Sequence, residues 1–511
     1  LMSTSSRVVK NTGFLYLRMG LTLFVSLYST RLILASLGEV DFGIFNVIGG
    51  SIAMMGFLNS TLANATQRFM SYAEGKGDEQ NKTKIFNISF ILHLIIAAAT
   101  ILLLLSIMPI LFDKFLNIPA DRIWTAKIVY FTLIFSTILT IVNVPYDAVL
   151  NAHENMFYYA IIGVIESLLK LGIAYVCVYS DGNRLLIYSI LMATLPLITL
   201  SIMKVYCHKH YTECRFALRK SWDFGVVKSI AKFSGWNFLT AISSLFTVQG
   251  LSVVLNHFFG TVLNAAQGIA NQVNGQLSAF STNMMKALNP VIVKRTASAD
   301  SESVSAVTFS GSKFSAILIL FFAIPVCIKM EYILSVWLEE VPKWTIVFCQ
   351  LQLIQTVIVQ MANPIATAIY GKGDIKGYAI WKSIMNIMPI ILSIIAFSSE
   401  GSPIWLYLSL IMFMGLGGDI VILYYGKLKC NISPRLFLLN VFFPVLGISA
   451  VMIAFGIIFD YILPYQNVFS SVVCGIMTTI GLIISMFTFG LTFSEKLIIQ
   501  SLIAAFSKRF H

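Results

Sequence analysis

Gly260-Thr-Val-Leu-Asn-Ala-Ala-Gln-Gly-Ile-Ala-Asn-Gln-Val-Asn-Gly275 opens a run that continues to Pro290 with a single charge, Lys286. That length can cross a bilayer as a helix. Within it Asn264, Gln267, Asn271, Asn274 and Ser278 recur at spacings of 3, 4, 3 and 4, which places all five on one helix face. An amide turned toward lipid has no hydrogen-bond partner, so this face must look at protein or at water held inside the membrane. The fold expected of the rest of the chain is one that shelters such a face.

Composition agrees with a membrane setting. The chain has 511 residues, 57% hydrophobic and 11% charged, with a mean hydropathy of +0.83. These values describe an all-α polytopic membrane protein. The net charge of +12 is no nucleic-acid signal, because the Lys and Arg residues sit in short loops between apolar runs and not along one soluble face. Leu1–Lys10 is polar and the first apolar run exceeds the length of a leader's apolar core, so no cleavable leader is expected. The cysteines at 177, 207, 214, 327, 349, 430 and 474 form no paired framework and read as packing thiols.

On the scale of roughly 20 apolar residues per span, about fourteen helices are expected. They are Gly13–Leu37, Phe42–Ala65, Ile85–Phe112, Ile123–Val144, Met156–Ser180, Leu185–Val205, Trp236–Phe259, Val262–Leu288, Phe314–Leu338, Trp344–Ala362, Gly377–Phe397, Ile404–Tyr425, Leu436–Ile462 and Val468–Leu491. With a cytoplasmic N-terminus, 26 Lys and Arg fall on the cytoplasmic side and 6 on the other. That bias places both termini in the cytoplasm. The expected organisation is an N-lobe of six helices (1–205), a basic cytoplasmic linker held at the lipid surface (206–232), a C-lobe of six helices (233–428), two further helices (429–491) and an amphipathic cytoplasmic tail helix (492–511) that begins at a capping box, Thr492-Phe-Ser-Glu495. No loop is large enough for a catalytic domain, and an enzyme is not expected.

The two lobes repeat. An offset of 222 aligns Gly38 with Gly260, Val40 with Val262, Ala65 with Ala287 and Asp78 with Asp300. Near 220 it aligns Trp124 with Trp344 and Asn143 with Asn363, and at 219 Pro145 with Pro364. A shift of six helices preserves orientation, so the repeats are parallel, about an axis along the membrane normal.

Polar positions inside the spans are the candidate site. Thr132, Ser136, Thr140 and Asn143 map at 220 onto Gln352, Thr356, Gln360 and Asn363. Together with Asn264, Gln267, Asn271 and Asn274 they line a central cavity or, in the plainer reading, make interhelical hydrogen bonds worth on average about 0.6 kcal/mol each. Arg18 and Arg31 lie in the first span, where a cation faces a cavity, finds a partner or snorkels to the surface. For Arg31 the available partners are Asp41 and Glu39. Glu166 and Lys170 sit at i, i+4, as a local ion pair or as groups that couple transport to an ion; Asp419 is a further candidate for coupling. Cys207-His208-Lys-His210-Tyr-Thr-Glu-Cys214 matches no zinc spacing, and neither a metal nor any other cofactor is expected. The one cofactor-like role left open is a proton or sodium gradient.

Several motifs carry a resemblance: Leu37-Gly-Glu-Val-Asp-Phe-Gly-Ile-Phe-Asn-Val-Ile-Gly-Gly50, Ala65-Thr-Gln-Arg-Phe69, Phe233-Ser-Gly-Trp236, Asn256-His-Phe-Phe-Gly260, Asn264-Ala-Ala-Gln-Gly-Ile-Ala270, Ala287-Leu-Asn-Pro290 and Gly490-Leu-Thr-Phe-Ser-Glu-Lys496. Through them the chain resembles the bacterial polysaccharide flippases for O-antigen and capsule repeat units, within the multidrug/oligosaccharidyl-lipid/polysaccharide exporter (MOP) superfamily. The resemblance implies two six-helix lobes around a cavity. It implies alternating access that carries an undecaprenyl-pyrophosphate-linked oligosaccharide from the cytoplasmic to the outer leaflet of the bacterial inner membrane. Arg18 and Arg31 would then meet phosphate and the polar stripes would meet sugar. Gln267 stands where many of the family carry a basic residue, which turns that stripe toward sugar. The expected partners are the lipid-linked substrate, membrane lipids and the polymerase and chain-length machinery, with the transporter itself a monomer. The alternatives are a multidrug or toxin extruder of the same superfamily and a membrane glycan polymerase or ligase.

Overall fold

Gly38 and Gly260 take nearly the same unusual backbone, φ 76°, ψ 170° and φ 80°, ψ −171° respectively. A positive φ costs glycine nothing and strains other residues. Each glycine separates a first from a second membrane helix, and the two stand at the offset read from the sequence. The repeat is therefore written into the backbone as well as into the residue identities.

The computed structural model describes residues 4–53, 56–115, 118–217, 222–298, 301–338, 341–463, 467–492 and 495–496. It is all-helical, with no strand among them. In chain order the helices are α1 (Thr4–Ala53, broken at Gly38), α2 (Gly56–Lys76), α3 (Glu79–Ile110), α4 (Ile123–Ala152), α5 (Met156–Tyr179) and α6 (Arg184–His210). Next come α7 (Phe224–Phe259), α8 (Thr261–Ala297), α9 (Ser301–Ile328), α10 (Met330–Trp337), α11 (Thr345–Lys372) and α12 (Lys376–Ser398). The last three are α13 (Trp405–Cys430), α14 (Pro434–Ile462) and α15 (Val468–Gly490). Side-chain caps start several of them: Asp78, Asn155, Asn183 and Asn467 each accept from a backbone N–H three residues on.

Among the described residues, twelve helices are long and apolar enough to cross a membrane. The expected second and eighth spans, 42–65 and 262–288, form helices but fall outside the twelve. They are repeat mates: Val40–Ile52 is a shorter apolar helix next to residues 54–55, which lie outside those described, and α8 carries the polar stripe.

The chain forms two compact units, an N-unit of Val9–Phe238 and a C-unit of Leu1–Val8 with Leu239–His511. In the N-unit α4 is the hub, packed on α2, α3 and α6; in the C-unit its repeat mate α11 packs on α8, α9 and α13. Pro145 and Pro364 lie inside these two hubs. Buried Ile48, Tyr130, Ala174 and Leu185 belong to the N-unit core, and Leu255, Ala266, Phe348 and Tyr407 to that of the C-unit.

In the C-unit α14 and α15 pack on each other and on α9. Two ion pairs clamp them there, one buried on both sides and one with its carboxylate 36% exposed. Beyond the end of α9, Lys329 Nζ lies 2.5 Å from Asp460 Oδ1 and donates to Ser470 Oγ at 2.7 Å. Toward the start of α9, Lys313 Nζ lies 2.7 Å from Glu495 Oε2. Glu495 also completes the expected capping box: its carboxylate accepts from Thr492 N at 2.9 Å and its own N–H donates to Thr492 Oγ1 at 3.4 Å. The rest of the expected tail helix, 497–511, lies outside the described residues.

The connection between α6 and α7 departs from the expected linker at 206–232. Residues 206–210 end α6 and 224–232 begin α7, and between them the described residues include a 3₁₀ turn at Thr212–Cys214. Residues 211–217 pack on α3. Buried Asn87 of α3 donates to Arg215 O and accepts from Ala217 N, each at 3.0 Å. The Phe216 ring meets Phe90 with centroids 5.0 Å apart.

Candidate functional site

Within the N-unit, α1 and α5 seat one intramembrane cation. The Arg18 guanidinium lies 4.6 Å from the centroid of the Tyr159 ring. It fills the space over Gly163, where a Cβ would overlap it. Four residues along, Ser167 Oγ donates to Thr22 Oγ1 at 3.2 Å, which holds α1 and α5 together beside the slot. Arg18 is thus held against α5 by a cation–π contact and a shape match. Neither Tyr159 nor Gly163 stood out in the sequence, because a slot is made by two helices far apart along the chain.

Arg31 is exposed near the far end of the same span. The expected pairing with Asp41 is not made: Asp41 is engaged by Arg122, 3.3 Å away. The side chain of Glu39 lies outside the described residues. Glu166 and Lys170 form the local pair, 2.8 Å apart, with side chains 35% and 44% exposed.

In the C-unit the polar stripe of α8 divides. Asn274 Oδ1 accepts from Thr356 Oγ1 at 2.7 Å, and further along Asn289 Oδ1 accepts from Thr367 Oγ1 at 3.1 Å. This part is a seam between α8 and α11. Gln352 donates to Gln355, and Asn363 to Gln360, along α11 itself. Gln267 is buried, the Oδ1 of half-buried Asn264 has no hydrogen-bond partner, and Asn271 is exposed. The stripe therefore mixes both readings: interhelical bonding at Asn274 and Thr356, and a polar group open at Asn271.

A second cluster of the C-unit joins α7, α12 and α13. Asn386 Nδ2 donates to Ser243 Oγ at 3.1 Å and to Thr240 O at 3.4 Å, while Thr247 Oγ1 donates to the Asn386 carbonyl. One turn away on α12, Lys382 Nζ donates to Met414 O at 3.3 Å. The wide π turn at Leu410–Gly417 makes this possible. There the Gly418 N–H bonds back to Phe413 O, so Met414 O does not receive its usual helical donor. The Lys382 ammonium rests over Gly418, where a Cβ would overlap it. The next residue is Asp419, whose charge interacts with that of Lys382. Three buried oxygens here have no hydrogen-bond partner: Ser383 Oγ, Asn386 Oδ1 and Asp419 Oδ1. In the sequence only Asp419 stood out, because Lys382 lies near a span edge where a lysine is ordinary. Among the described residues no cluster of His, Cys, Asp and Glu could hold a metal ion.

No family model matches the chain, and no curated protein matches it. Solved structures do. A MATE protein crystallised in complex with MaD3S superposes with a TM-score of 0.68 at 13% identity, covering 84% of this chain and 96% of its own. The fold is that of the MATE transporters. A multidrug resistance MATE family transporter of the MOP superfamily, in its outward-facing conformation, gives 0.67 at 13% identity. A MOP superfamily transporter from Pyrococcus furiosus, described as having a binding pocket of reverse polarity, gives 0.67 at 14%; coverage is again 84% and 96% in both cases.

Proposed function

We propose that this protein is a membrane transporter working by alternating access on the MATE fold. The observation that carries the proposal is the extent of the likeness: 96% of the neighbour is matched at a TM-score of 0.68. On the substrate, the comparisons support extrusion of a drug-like solute more than the oligosaccharide flippase that the sequence motifs suggest, since the neighbours are MATE transporters and one is described as a multidrug resistance transporter.

A flippase for an anionic, lipid-linked oligosaccharide is the second reading, and site chemistry favours it. A cationic drug needs an intramembrane acid free to receive it. Here Glu166, Asp419 and Asp460 each lie beside a lysine, while Arg18 is seated as a fixed cation. Purified protein in proteoliposomes separates the two readings. Outward movement of a polyprenyl-pyrophosphate-linked oligosaccharide, without efflux of a cationic dye, establishes the flippase. The reverse pattern establishes the drug transporter, and movement of neither overturns the transport proposal.

A further inference from the structure

The connection from α6 to α7 is tied to the membrane at both ends: one helix long and apolar enough to span ends at His210 and the next begins at Phe224. Its charges are sorted by sign. From Lys204 to Lys232 the chain holds two acidic residues, Glu213 and Asp223, and both are engaged. Glu213 is buried, with its Oε1 2.5 Å from His153 Nε2. Asp223 Oδ1 accepts from the Gly225 and Val226 N–H groups at 2.9 and 3.3 Å, which caps α7, and its Oδ2 lies 3.1 Å from Lys84 Nζ of α3.

The basic residues point outward. Lys204 and Lys209 on the last two turns of α6, Arg215 in the connection, and Lys228 and Lys232 on the first turns of α7 are all exposed. Among the described residues none of these five takes part in an ion pair. On α7, Phe224, Lys228 and Lys232 recur every four residues and share one open face. Ile230 and Phe233 are buried on the other, where Phe233 meets Phe69 of α2 with ring centroids 6.0 Å apart. Large apolar rings stand open among the cations: Phe216, Trp222 and Phe224 are 46%, 51% and 72% exposed. Bulk water suits the cations and not the rings. The headgroup layer of a bilayer suits both, because it offers phosphate to a cation and an apolar boundary to a ring.

We propose that the end of α6, the connection and the start of α7 form a docking surface for anionic phospholipid headgroups. The five unpaired cations meet the phosphates, and the Trp222 and Phe224 rings rest at headgroup level. A zwitterionic lipid offsets its phosphate with its own ammonium, so the surface selects lipids of net negative charge. The bonds from Asn87 hold 211–217 on α3 from the inner side and leave the outer side to lipid. The surface works whichever substrate the protein moves.

The test uses full-length protein in nanodiscs of phosphatidylcholine with about one-fifth phosphatidylglycerol, brominated on the acyl chains of one lipid or of an equal amount of the other. The emission of Trp222 is read as the difference between wild type and Trp222→Phe. Brominated phosphatidylglycerol should quench it about twofold more than the same amount of brominated phosphatidylcholine. Lys228→Gln with Lys232→Gln should cut that preference without lowering the unfolding temperature, as should Lys204→Gln with Lys209→Gln. Raising salt to about 0.5 M should remove it. Equal quenching by the two lipids, or a preference that survives both pairs of substitutions, overturns the docking surface. Equal quenching together with tight binding of soluble polyphosphate would overturn it in favour of a water-borne polyanion.

Discussion

Gly163 has no side chain because Arg18 occupies the place where one would stand. Arginine is flexible, so Gly163→Leu should expel the guanidinium at a stability cost of about 1 kcal/mol and lower transport as far as Arg18→Ala does. The double variant should be no worse than either single one, measured as substrate movement in proteoliposomes. Additive losses would show that Arg18 and Gly163 act separately. Lys382 and Asp419 influence each other through charge without a direct ion pair, and Lys382 is held by the Met414 carbonyl. Lys382→Met should remove the bond to Met414 O and destabilise by about 1 kcal/mol, and adding Asp419→Asn should change this little, read as thermal unfolding in detergent. The double variant should nevertheless lose dependence on a proton or sodium gradient. Glu166→Gln should keep that dependence, because its half-exposed pair with Lys170 is local and worth little.

At the scale of the helix, the Lys313–Glu495 and Lys329–Asp460 pairs decide whether α14 and α15 stay docked on α9. Lys329→Met should cost about 1 kcal/mol, because solvent reaches the Asp460 carboxylate, seen as a slightly lower unfolding temperature and earlier proteolysis between α14 and α15. Burial raises the Glu495 carboxyl, but Lys313 and the Thr492 N–H more than offset this and hold it below the usual range. The stability it adds is therefore present above the ordinary carboxylate value and is lost as pH falls through the lowered one. The α8–α11 seam is weaker: Thr356→Val should cost only about 0.6 kcal/mol. A cysteine at exposed Asn271 should react with a water-soluble thiol reagent while one at buried Thr356 is protected; equal reaction would dissolve the distinction between seam and open polar face. The polar stripes were legible in sequence because they repeat at helical spacing within one helix. The pairings were not, since Lys313 meets Glu495 across 182 residues and no local pattern encodes such a meeting.

Over the whole molecule, the duplicated architecture was the most legible property, because the Gly38 and Gly260 turns demand glycine at the same place in both units. The connection at 211–217 was the least legible: its basic residues suggested a linker at the lipid surface, and the bonds from Asn87 and His153 are contacts made only in the folded chain. The positive-inside bias predicts that cysteines placed at Lys76 and Asp223 are labelled from the cytoplasm and one at Asn183 from the opposite side. The inverse pattern would reverse the orientation. The clamps on α9 also impose an order on biogenesis. When the ribosome has finished α9, Lys313 is already in the bundle, yet its partner Glu495 is 182 residues away. At ordinary synthesis rates that is on the order of ten to forty seconds with an unneutralised lysine awaiting its counter-charge. A nascent chain arrested before α14 would lack both Asp460 and Glu495, the carboxylates that Lys329 and Lys313 meet in the folded chain, and should therefore be degraded faster than the full chain in a pulse-chase measurement.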